Sequence, residues 1–361
     1  MNRVLFLVNH DVVIYNFRRE LVERLIKDGH EVIISSPYGK RIDLLKAMGC
    51  KYIEVKMDRH GMNPLKELKL LRYYKKLISL TKPDIIFSYT IKPNLYGALT
   101  AGKVPVVVNV TGLGTAVEGT GVLQKAMVVL LRMAFRKVRT VYVQNKENQQ
   151  YFIDHRIAAN KLKLLPGSGV NLDHFHVLDY PSDKTVEFVF ISRIMKEKGI
   201  EQYLEAAEYV RKKRPNTRFH ICGFCEKEYE GRLKELEESK VVKYHGLIMD
   251  IRKVLKYTHC TIHPSFYPEG LSNVLLESAA SGRPIITTDR SGCREVIDDG
   301  VNGYMVRQQD SKALIEAVEK FLELDNEKRK AMGLAGRAKV EAEFDRNIVI
   351  NAYMGEMQNE I

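Results

Sequence analysis

A chain of 361 residues is long enough for two domains with sizeable cores, and 45% hydrophobic with 28% charged residues is typical of a soluble globular protein rather than a disordered one. The net charge is +12, and the excess lies in residues 1–180, with 28 Lys and Arg against 15 Asp and Glu, whereas residues 181–361 have 29 against 30. A one-sided basic surface predicts an anionic partner such as nucleic acid, anionic lipid or a phosphorylated substrate.

The first half of the chain alternates short apolar runs with helical segments. Residues 4–8 are predicted to be a strand, because the run is too short for a signal peptide or a membrane span. A loop at 10–16 and a helix at 17–27 are expected next. Further strands are predicted at residues 31–35, 52–55, 84–87, 104–110 and 140–144, with helices such as 64–80 between them. This alternation predicts an α/β fold with a doubly wound parallel sheet, whose ligands lie beyond the carboxyl ends of the strands.

Residues 122–139 form an amphipathic pattern. On a helix, the basic residues would form one stripe beside a wide apolar face; they are Lys125, Arg132, Arg136 and Arg139. This pattern is typical of a helix that lies in an anionic membrane interface, and also of a helix that packs on the sheet. Both interpretations stay open, and the basic charge of this half favours the first.

Between residues 166 and 181 the pattern breaks into Gly, Ser, Asn, His and Pro, which predicts a linker. A second β-α-β series follows, with strands predicted at residues 188–191, 218–222, 241–244 and 260–263 and a helix at 199–213. Residues 311–358 are predicted to be helical, with breaks at 326 and 344–345. The five cysteines are few and scattered, which indicates a reducing compartment, and the isolated Cys222-x-x-Cys225 is more typical of packing than of a metal or redox site.

The most informative stretch is residues 263–288. After a strand end the chain turns through two prolines, and Ser272 is a plausible N-cap for a helix that runs to about Ser281 and is ended by Gly282. The first N–H groups of such a helix form an anion site. Glu269 precedes that site and Glu277 lies two turns inside the helix. Carboxylates on both sides of an anion site suit a ligand with a diphosphate between two hydroxyl-rich sugars, because each carboxylate accepts hydrogen bonds from hydroxyls.

These two glutamates, with seven residues between them, resemble the paired-glutamate signature of the family-four retaining glycosyltransferases. The flanking sequences fit too: Pro-Ser comes before Glu269, and Glu-Ser-Ala-Ala-Ser-Gly-Arg-Pro begins at Glu277. The alternative is an ordinary helix with two solvated glutamates. The resemblance covers nearly the whole chain and implies the glycosyltransferase-B fold, with two doubly wound parallel-sheet domains facing a cleft. It implies an acceptor-binding domain at 1–168, a linker at 169–184, a nucleotide-sugar-binding domain at 185–343 and a last helix, 344–361, that crosses back to the first domain.

The resemblance also implies roles for residues of the second domain. Glu269 and the amides of Gly270, Leu271 and Ser272 would contact the donor sugar, and Glu277 the ribose. Arg193 and Lys198, between a strand and its helix, match the Arg and Lys with which the family neutralises the leaving diphosphate, although surface charges beside a loop are the simpler alternative. The catalytic candidates are therefore Arg193, Lys198 and Glu269, none of them a nucleophile. The turn with Leu247 would lie beside the nucleotide base.

In the first domain the resemblance is less complete. Thr111 and Gly112 begin the loop that faces the donor sugar in this family; many members have a His there, and this chain does not. No Gly-x-Gly-x-x-Gly follows the first strand, which argues against an ordinary dinucleotide-binding domain. The loop at 9–18 instead resembles the variant in transferases that act on polyprenyl-diphosphate-linked sugars. Asn16 and Arg18 are thus expected to meet acceptor phosphates; the alternative is a helix start with a solvated Arg18.

No Asp-x-Asp occurs, which favours charge neutralisation by Arg193 and Lys198 without a metal, and no cofactor is expected. The expected partners are a nucleotide-diphosphate sugar, UDP-sugar above all, a polyprenyl-diphosphate-linked or other glycan acceptor, and an anionic membrane surface, but no nucleic acid. The protein is expected in the cytoplasm, peripherally associated with the inner face of the plasma membrane, in bacterial polysaccharide or glycan assembly.

Three alternatives remain at the level of sequence. A sugar-nucleotide epimerase on the same fold would convert a nucleotide sugar without any acceptor. A basic RNA-binding protein would bind through the charge of the first half, with strong salt dependence, but the chain lacks an aromatic-interleaved nucleic-acid motif. A glycan-binding protein with an inactive site would bind the donor and never turn it over.

Overall fold

The computed structural model describes residues 1–58, 61, 63–112 and 121–358, and for residues 122 and 123 only the backbone. The chain divides into two compact units. The N-terminal unit comprises Met1–Ser168 and Asn347–Ile361, and the C-terminal unit comprises Gly169–Arg346. Each unit is built on one parallel sheet, so the predicted pair of doubly wound α/β sheets is confirmed.

The sheet of the N-terminal unit has seven strands in the order β3-β2-β1-β4-β5-β6-β7. They are β1 Arg3–Leu7, β2 Glu31–Ser36, β3 Lys51–Glu54, β4 Ile85–Tyr89, β5 Val106–Val110, β6 Thr140–Val143 and β7 Leu162–Leu164. Strands β4 and β5 are buried along their whole length. Near-continuous apolar runs are what a parallel sheet covered on both faces requires. The described helices of this unit are Asp11–Phe17, Arg19–Lys27, Ile42–Ala47, Pro64–Thr81, Ile91–Thr100, Val122–Phe135, Lys146–Asp154 and Arg346–Gln358.

The sheet of the C-terminal unit has six strands in the order β10-β9-β8-β11-β12-β13. They are β8 Val186–Ile191, β9 Thr217–Cys222, β10 Val242–Tyr244, β11 Cys260–His263, β12 Ile285–Thr288 and β13 Gly303–Val306. Its helices are Ile200–Lys213, Glu230–Glu238, Arg252–Leu255, Asn273–Ala280, Ser311–Leu322 and Asn326–Glu343. Because all neighbouring strands are parallel, the loops that follow β8, β9, β10 and β11 leave the sheet at one edge.

Two expectations about the N-terminal unit are wrong. Residues 10–16 are not a loop: His10 is the N-cap of the helix Asp11–Phe17, and its Nδ1 accepts from Val12 N at 3.1 Å. The β-branched run that follows has low helix propensity, but burial of Ile14 overrides it. Arg139 is not part of the helical basic stripe, because the helix Val122–Phe135 ends before it and its guanidinium donates to Glu356 O at 3.0 Å.

The helix Arg346–Gln358 packs on the N-terminal sheet through Tyr353. The Tyr353 ring is 5.0 Å from that of Phe87 and 5.3 Å from that of Tyr142, centroid to centroid. Its hydroxyl accepts from Asn109 Nδ2 at 2.8 Å. One turn on, buried Glu356 Oε1 accepts from Thr140, Tyr142 and Lys163 at 2.8 to 3.0 Å. Among the described residues, none of the helices has both the length and the apolar character to cross a membrane.

Tyr353 should therefore be a stability determinant of the N-terminal unit. Tyr353→Ala removes a fully buried aromatic ring, and we expect it to lower the free energy of unfolding by about 3–5 kcal/mol in chemical denaturation. The control Tyr353→Phe removes only the hydroxyl and should cost about 1 kcal/mol. Equal losses for the two variants would mean that ring packing is not what holds the helix.

Candidate functional site

The loops after β8 and β11 of the C-terminal unit are joined by their backbones. Glu197 O accepts from Phe266 N at 2.9 Å. Gly199 has a φ of +76°, and a Cβ there would overlap the carbonyl oxygen of Pro264. Only glycine combines that backbone conformation with so close an approach. The two loops that carry the three catalytic candidates are thus fixed against each other.

The three catalytic candidates gather around one aromatic ring. Lys198 Nζ lies 4.6 Å from the centroid of the Tyr267 ring, and the Arg193 guanidinium carbon lies 5.5 Å from it. Lys198 Nζ also forms a hydrogen-bonded ion pair with Glu269 Oε1. Two cations beside one aromatic ring, with a carboxylate next to one of them, form a site that can bind a polyanion. Tyr267 was not predicted, because nothing in the sequence shows which ring two distant cations share.

The electrostatics of Lys198 reflect its burial. The side chain is about 10% exposed. Burial, together with the positive charge of Arg193, lowers the pKa of the Lys198 ammonium to about 8. The contact with the Glu269 carboxylate favours the charged form of Lys198, so its ammonium is protonated at neutral pH.

His263 is the last residue of β11 and lies close to Glu269 of the Lys198–Glu269 pair. Its Nε2 is 3.4 Å from Ser272 Oγ and 4.0 Å from Glu269 Oε1. Burial, with the charge of Lys198, lowers the pKa of His263 to about 3, so the imidazole is neutral. A neutral imidazole adds no competing charge to the site. Sequence reasoning treated His263 only as the end of a strand.

The helix Asn273–Ala280 begins at the position where the sequence predicts an anion-binding site. Ser272 is its N-cap residue, as expected, but its side chain makes no capping hydrogen bond. The N–H groups of the first turn are therefore not satisfied by a cap and point out of the helix start. Gly270 and Leu271, just before, are buried, so their contribution to a ligand site would come from the backbone.

Glu277 lies inside this helix and is half-buried. Burial raises the pKa of its carboxyl to about 7, and the positive charge of Arg346 opposes that shift. A carboxyl with such a pKa is short of hydrogen-bond donors or positive charge. A ribose, which brings two hydroxyls, would supply donors to it.

The remaining predicted residues belong to other segments of the two units. Leu247 is 70% exposed in the turn after β10. Thr111 and Gly112 follow β5 in the N-terminal unit, and the rest of the predicted loop, residues 113–115, lies outside the described residues. Asn16 is exposed. Which of these residues contacts a ligand stays a prediction.

Arg18 is not solvated, which rules out the simpler interpretation of this residue. It is 2% exposed, and its guanidinium carbon lies 5.2 Å from the Tyr89 centroid and 5.6 Å from the Tyr353 centroid. Its NH1 donates to Phe17 O at 2.6 Å. No carboxylate of the described residues forms an ion pair with it. The charge of Arg18 is therefore buried at the carboxyl end of the N-terminal sheet without an anionic partner.

Within the described parts of the chain, no group of three or more His, Cys, Asp or Glu side chains is arranged to hold a metal ion. The five cysteines are free, and burial raises the pKa of Cys222 to about 12.

Two family models match the chain. The model described as glycosyl transferases group 1 matches residues 179–339, and the model described as glycosyl transferase 4-like matches residues 3–145. Together they span most of the chain.

Curated relatives match over similar lengths. The chain is 26% identical to N,N'-diacetylbacillosaminyl-diphospho-undecaprenol alpha-1,3-N-acetylgalactosaminyltransferase of Campylobacter jejuni, over 98% of this chain and 97% of that protein. It is 25% identical to the capsular polysaccharide biosynthesis glycosyltransferase CapM of Staphylococcus aureus, over 92% and 90%. Among solved structures, Anabaena HepE in complex with UDP has a TM-score of 0.80 at 19% identity, covering 99% of this chain and all of that one.

The raised pKa of Glu277 predicts that the free energy of unfolding falls as the pH rises. The folded-state pKa of about 7 exceeds the ordinary value of 4.5, so as the pH rises the unfolded chain releases this proton first. Stability is therefore lost between about pH 4.5 and 7. We expect Glu277→Gln to raise the free energy of unfolding by about 2 kcal/mol at pH 8, and by much less at pH 5. A gain that does not change between these pH values in urea denaturation would contradict the assigned pKa.

Proposed function

Because the chain belongs to the group 1 glycosyltransferases, we propose that it moves a hexose or N-acetylhexosamine from a nucleotide-diphosphate sugar to a lipid-linked sugar acceptor, with retention at the anomeric carbon. The protein is a glycosyltransferase with the glycosyltransferase-B fold, and it has relatives in bacterial polysaccharide biosynthesis.

One observation supports the donor site above all. Arg193 and Lys198 lie beside the Tyr267 ring, Glu269 pairs with Lys198, and the helix that starts at Asn273 has no side-chain cap. The Ser272 amide itself donates to Gly292 O at 2.8 Å. Two cations and a row of N–H groups suit a diphosphate, and carboxylates on both sides suit polyols. An RNA-binding protein would not need this arrangement.

The proposed step needs no covalent enzyme intermediate. The bond between the anomeric carbon and the phosphate oxygen breaks, and the acceptor oxygen forms a bond to that carbon on the same face. The acceptor proton passes to the departing phosphate. Arg193, Lys198 and the amides after Gly270 stabilise the negative charge that develops on the diphosphate. Glu269 positions a sugar hydroxyl, which restricts the motion of the donor before reaction.

The names of the relatives guide the choice of substrates. The Campylobacter jejuni enzyme is named for a diphospho-undecaprenol-linked acceptor. An Escherichia coli relative, 25% identical over 70% of each chain, is named UDP-Gal:alpha-D-GlcNAc-diphosphoundecaprenol alpha-1,3-galactosyltransferase. We therefore propose a UDP-sugar donor and a polyprenyl-diphosphate-linked acceptor for this chain.

The acceptor diphosphate is proposed to bind at the carboxyl end of the N-terminal sheet. Arg18 supports this assignment, because a buried guanidinium without a carboxylate is costly unless an anion joins it. Asn16, exposed two residues before, would donate a hydrogen bond to the same group through its side-chain amide. Thr111 and Gly112 are proposed to contact the donor sugar.

Contact with an anionic membrane is proposed through the helix Val122–Phe135 and the residues after it. Val129 and Met133 are 52% and 64% exposed, which is unusual for large apolar side chains. Lys125, Arg136 and Lys137 are exposed nearby. The helix contains no acidic residue. Exposed apolar and basic side chains on one segment suit an interface that holds the lipid-linked acceptor.

The donor-site assignment predicts that substitutions at Arg193 and at Glu277 change different kinetic constants. Purified protein is incubated with a panel of nucleotide sugars, with and without an undecaprenyl-diphosphate-linked sugar, and products are analysed. Arg193→Ala should lower kcat about 100-fold, because it acts on charge that develops in the transition state. Glu277→Ala should instead raise the donor KM by about tenfold, because it holds the ribose in both states.

The surface substitution Arg232→Ala, on the helix Glu230–Glu238, serves as the control and should leave both constants unchanged. Wild-type kinetics in either site variant would contradict the assignment. Conversion of the donor to another nucleotide sugar without an acceptor would contradict the transferase step itself.

The membrane proposal predicts sedimentation of the protein with vesicles that contain anionic lipid. Lys125, Arg136 and Lys137 changed together to Glu should weaken that binding more than about tenfold, since each basic residue near such a surface contributes about 1 kcal/mol. Arg139 is left intact because it bonds Glu356 O. The control reverses three exposed lysines of the C-terminal unit, Lys234, Lys312 and Lys328. Equal binding of the two triple variants would refute the proposed surface.

A further inference from the structure

The loop that follows β12 lies against the segment that carries Glu269. Gly292, in this loop, has a φ of +90°, and its carbonyl oxygen accepts from Ser272 N at 2.8 Å. A Cβ at Gly292 would lie 3.1 Å from Glu269 O and 3.2 Å from Glu269 Cβ, which is closer than an ordinary van der Waals contact. Glycine suits this position for its backbone conformation and for the close approach. Gly292 thus contacts residues 269–272 near both ends of that segment.

Glu295 holds Gly292 in place. Its Oε2 accepts from Gly292 N at 2.8 Å, and its Oε1 accepts from Ser291 Oγ at 3.5 Å. The side chain of Glu295 is half-buried. Burial raises the pKa of its carboxyl, while the hydrogen bond from Gly292 N and the positive charge of Arg294 oppose that shift. Because a bond to an ionised carboxylate is stronger than one between neutral groups, Glu295 holds the Gly292 amide firmly.

The turn that carries Glu295 is anchored in the core of the C-terminal unit. Cys293 and Val296, on either side of it, are both 0% exposed. They belong to the same buried apolar cluster as Leu271 and Leu275, which flank the start of the helix Asn273–Ala280. The backbone of Glu295 is therefore fixed by packing, and its carboxylate can set the position of Gly292 against a rigid base.

We infer that Glu295 is a positioning residue of the donor site, which acts through Gly292 and touches neither the donor nor the acceptor. By fixing Gly292, it fixes the Ser272 amide and the backbone of Glu269. The inference rests on the proposed function, because it takes Glu269 to hold a hydroxyl of the donor sugar.

Loss of this carboxylate would leave the buried N–H of Gly292 without its acceptor, so the loop would shift towards another partner. The bond between Gly292 O and Ser272 N would weaken, and Glu269 would lose its fixed position. A displacement of about 1 Å in a substrate-positioning group lowers turnover, because the reacting atoms no longer align. The nucleoside part of the donor, which Glu277 is proposed to hold from inside the helix, would be affected less.

Hydrogen exchange of the full chain, measured by mass spectrometry, tests the structural step. Glu295→Ala should speed exchange in peptides covering residues 269–276 and 289–296 by about tenfold, and it should leave the helix Ile200–Lys213 unchanged. Glu295→Met keeps the length of the side chain without an oxygen and should behave like Glu295→Ala. Glu295→Gln should restore slow exchange, because its amide oxygen can still accept from Gly292 N.

Steady-state kinetics of the same variants, with the nucleotide sugar that the wild-type protein turns over fastest, test the functional step. Glu295→Ala and Glu295→Met should lower kcat by about tenfold, and Glu295→Gln should stay within about threefold of the wild-type value. The dissociation constant of the corresponding nucleoside diphosphate, measured by calorimetry, should change by less than about twofold in all three variants. A residue that served only the stability of the fold would not separate these constants.

Asp310→Ala is the matched control, because the Asp310 carboxylate also accepts from a backbone N–H, that of Ala313 at 2.9 Å, at the start of the helix Ser311–Leu322. It should change neither kcat nor exchange in residues 269–276. Exchange in that segment that stays slow in Glu295→Ala would overturn the inference, and so would faster exchange throughout the C-terminal unit.

Two further outcomes would overturn it. Equal losses of kcat in Glu295→Ala and Glu295→Gln would mean that the charge matters and not the bond to Gly292. Failure of both oxygen-free variants to fold would make Glu295 a residue of the fold and not of the site. Wild-type kinetics in Glu295→Ala would refute the inference alone, whereas a wild-type protein that turns over no nucleotide sugar would refute the proposed function and the inference with it.

Discussion

The ion pair between Lys198 and Glu269 is the interaction on which the arrangement of the C-terminal site depends. Both side chains are largely buried, so each charge needs the other, and removal of one partner would leave an uncompensated buried charge at a cost of about 3–5 kcal/mol. The pair can form only because the two loops touch. That contact requires a residue without a side chain at Gly199, where the backbone meets Pro264 O. The geometry of one glycine thus determines where the positive charge of the site lies.

Several groups of the candidate site are in states that the proposed donor would relieve. Glu277 has a raised pKa, Lys198 a lowered one, and the first turn of the helix Asn273–Ala280 has no side-chain cap. A diphosphate would compete with Glu269 for Lys198. The carboxylate released in that way would be free to accept from a sugar hydroxyl. Binding of the phosphates and positioning of the sugar would therefore be coupled through a single ion pair.

The parallel sheets could be predicted from sequence because their strands are buried on both faces and appear as uninterrupted apolar runs. Strand β11 Cys260–His263 was predicted to the residue. Strand β7 was missed, since its three residues are largely exposed and carry no such signal. For the candidate site, residue spacing indicated Glu269 and Glu277, and their roles stay predictions. Tyr267 could not be assigned, because its role depends on contacts with Arg193 and Lys198, which belong to a distant loop. His263 could not be assigned because its burial depends on tertiary packing.

The same dependence on distant segments applies to the N-terminal unit. Arg18 is enclosed by Tyr89 from the fourth strand and Tyr353 from the last helix, so residues from three parts of the chain create one buried cation. The aromatic rings attract the guanidinium but carry no net charge to neutralise it. An anion that reaches Arg18 would thus gain more from the contact than it would at a solvated arginine, because the surrounding rings exclude water. The final helix, through Tyr353, would then contribute to anion affinity without itself touching the ligand.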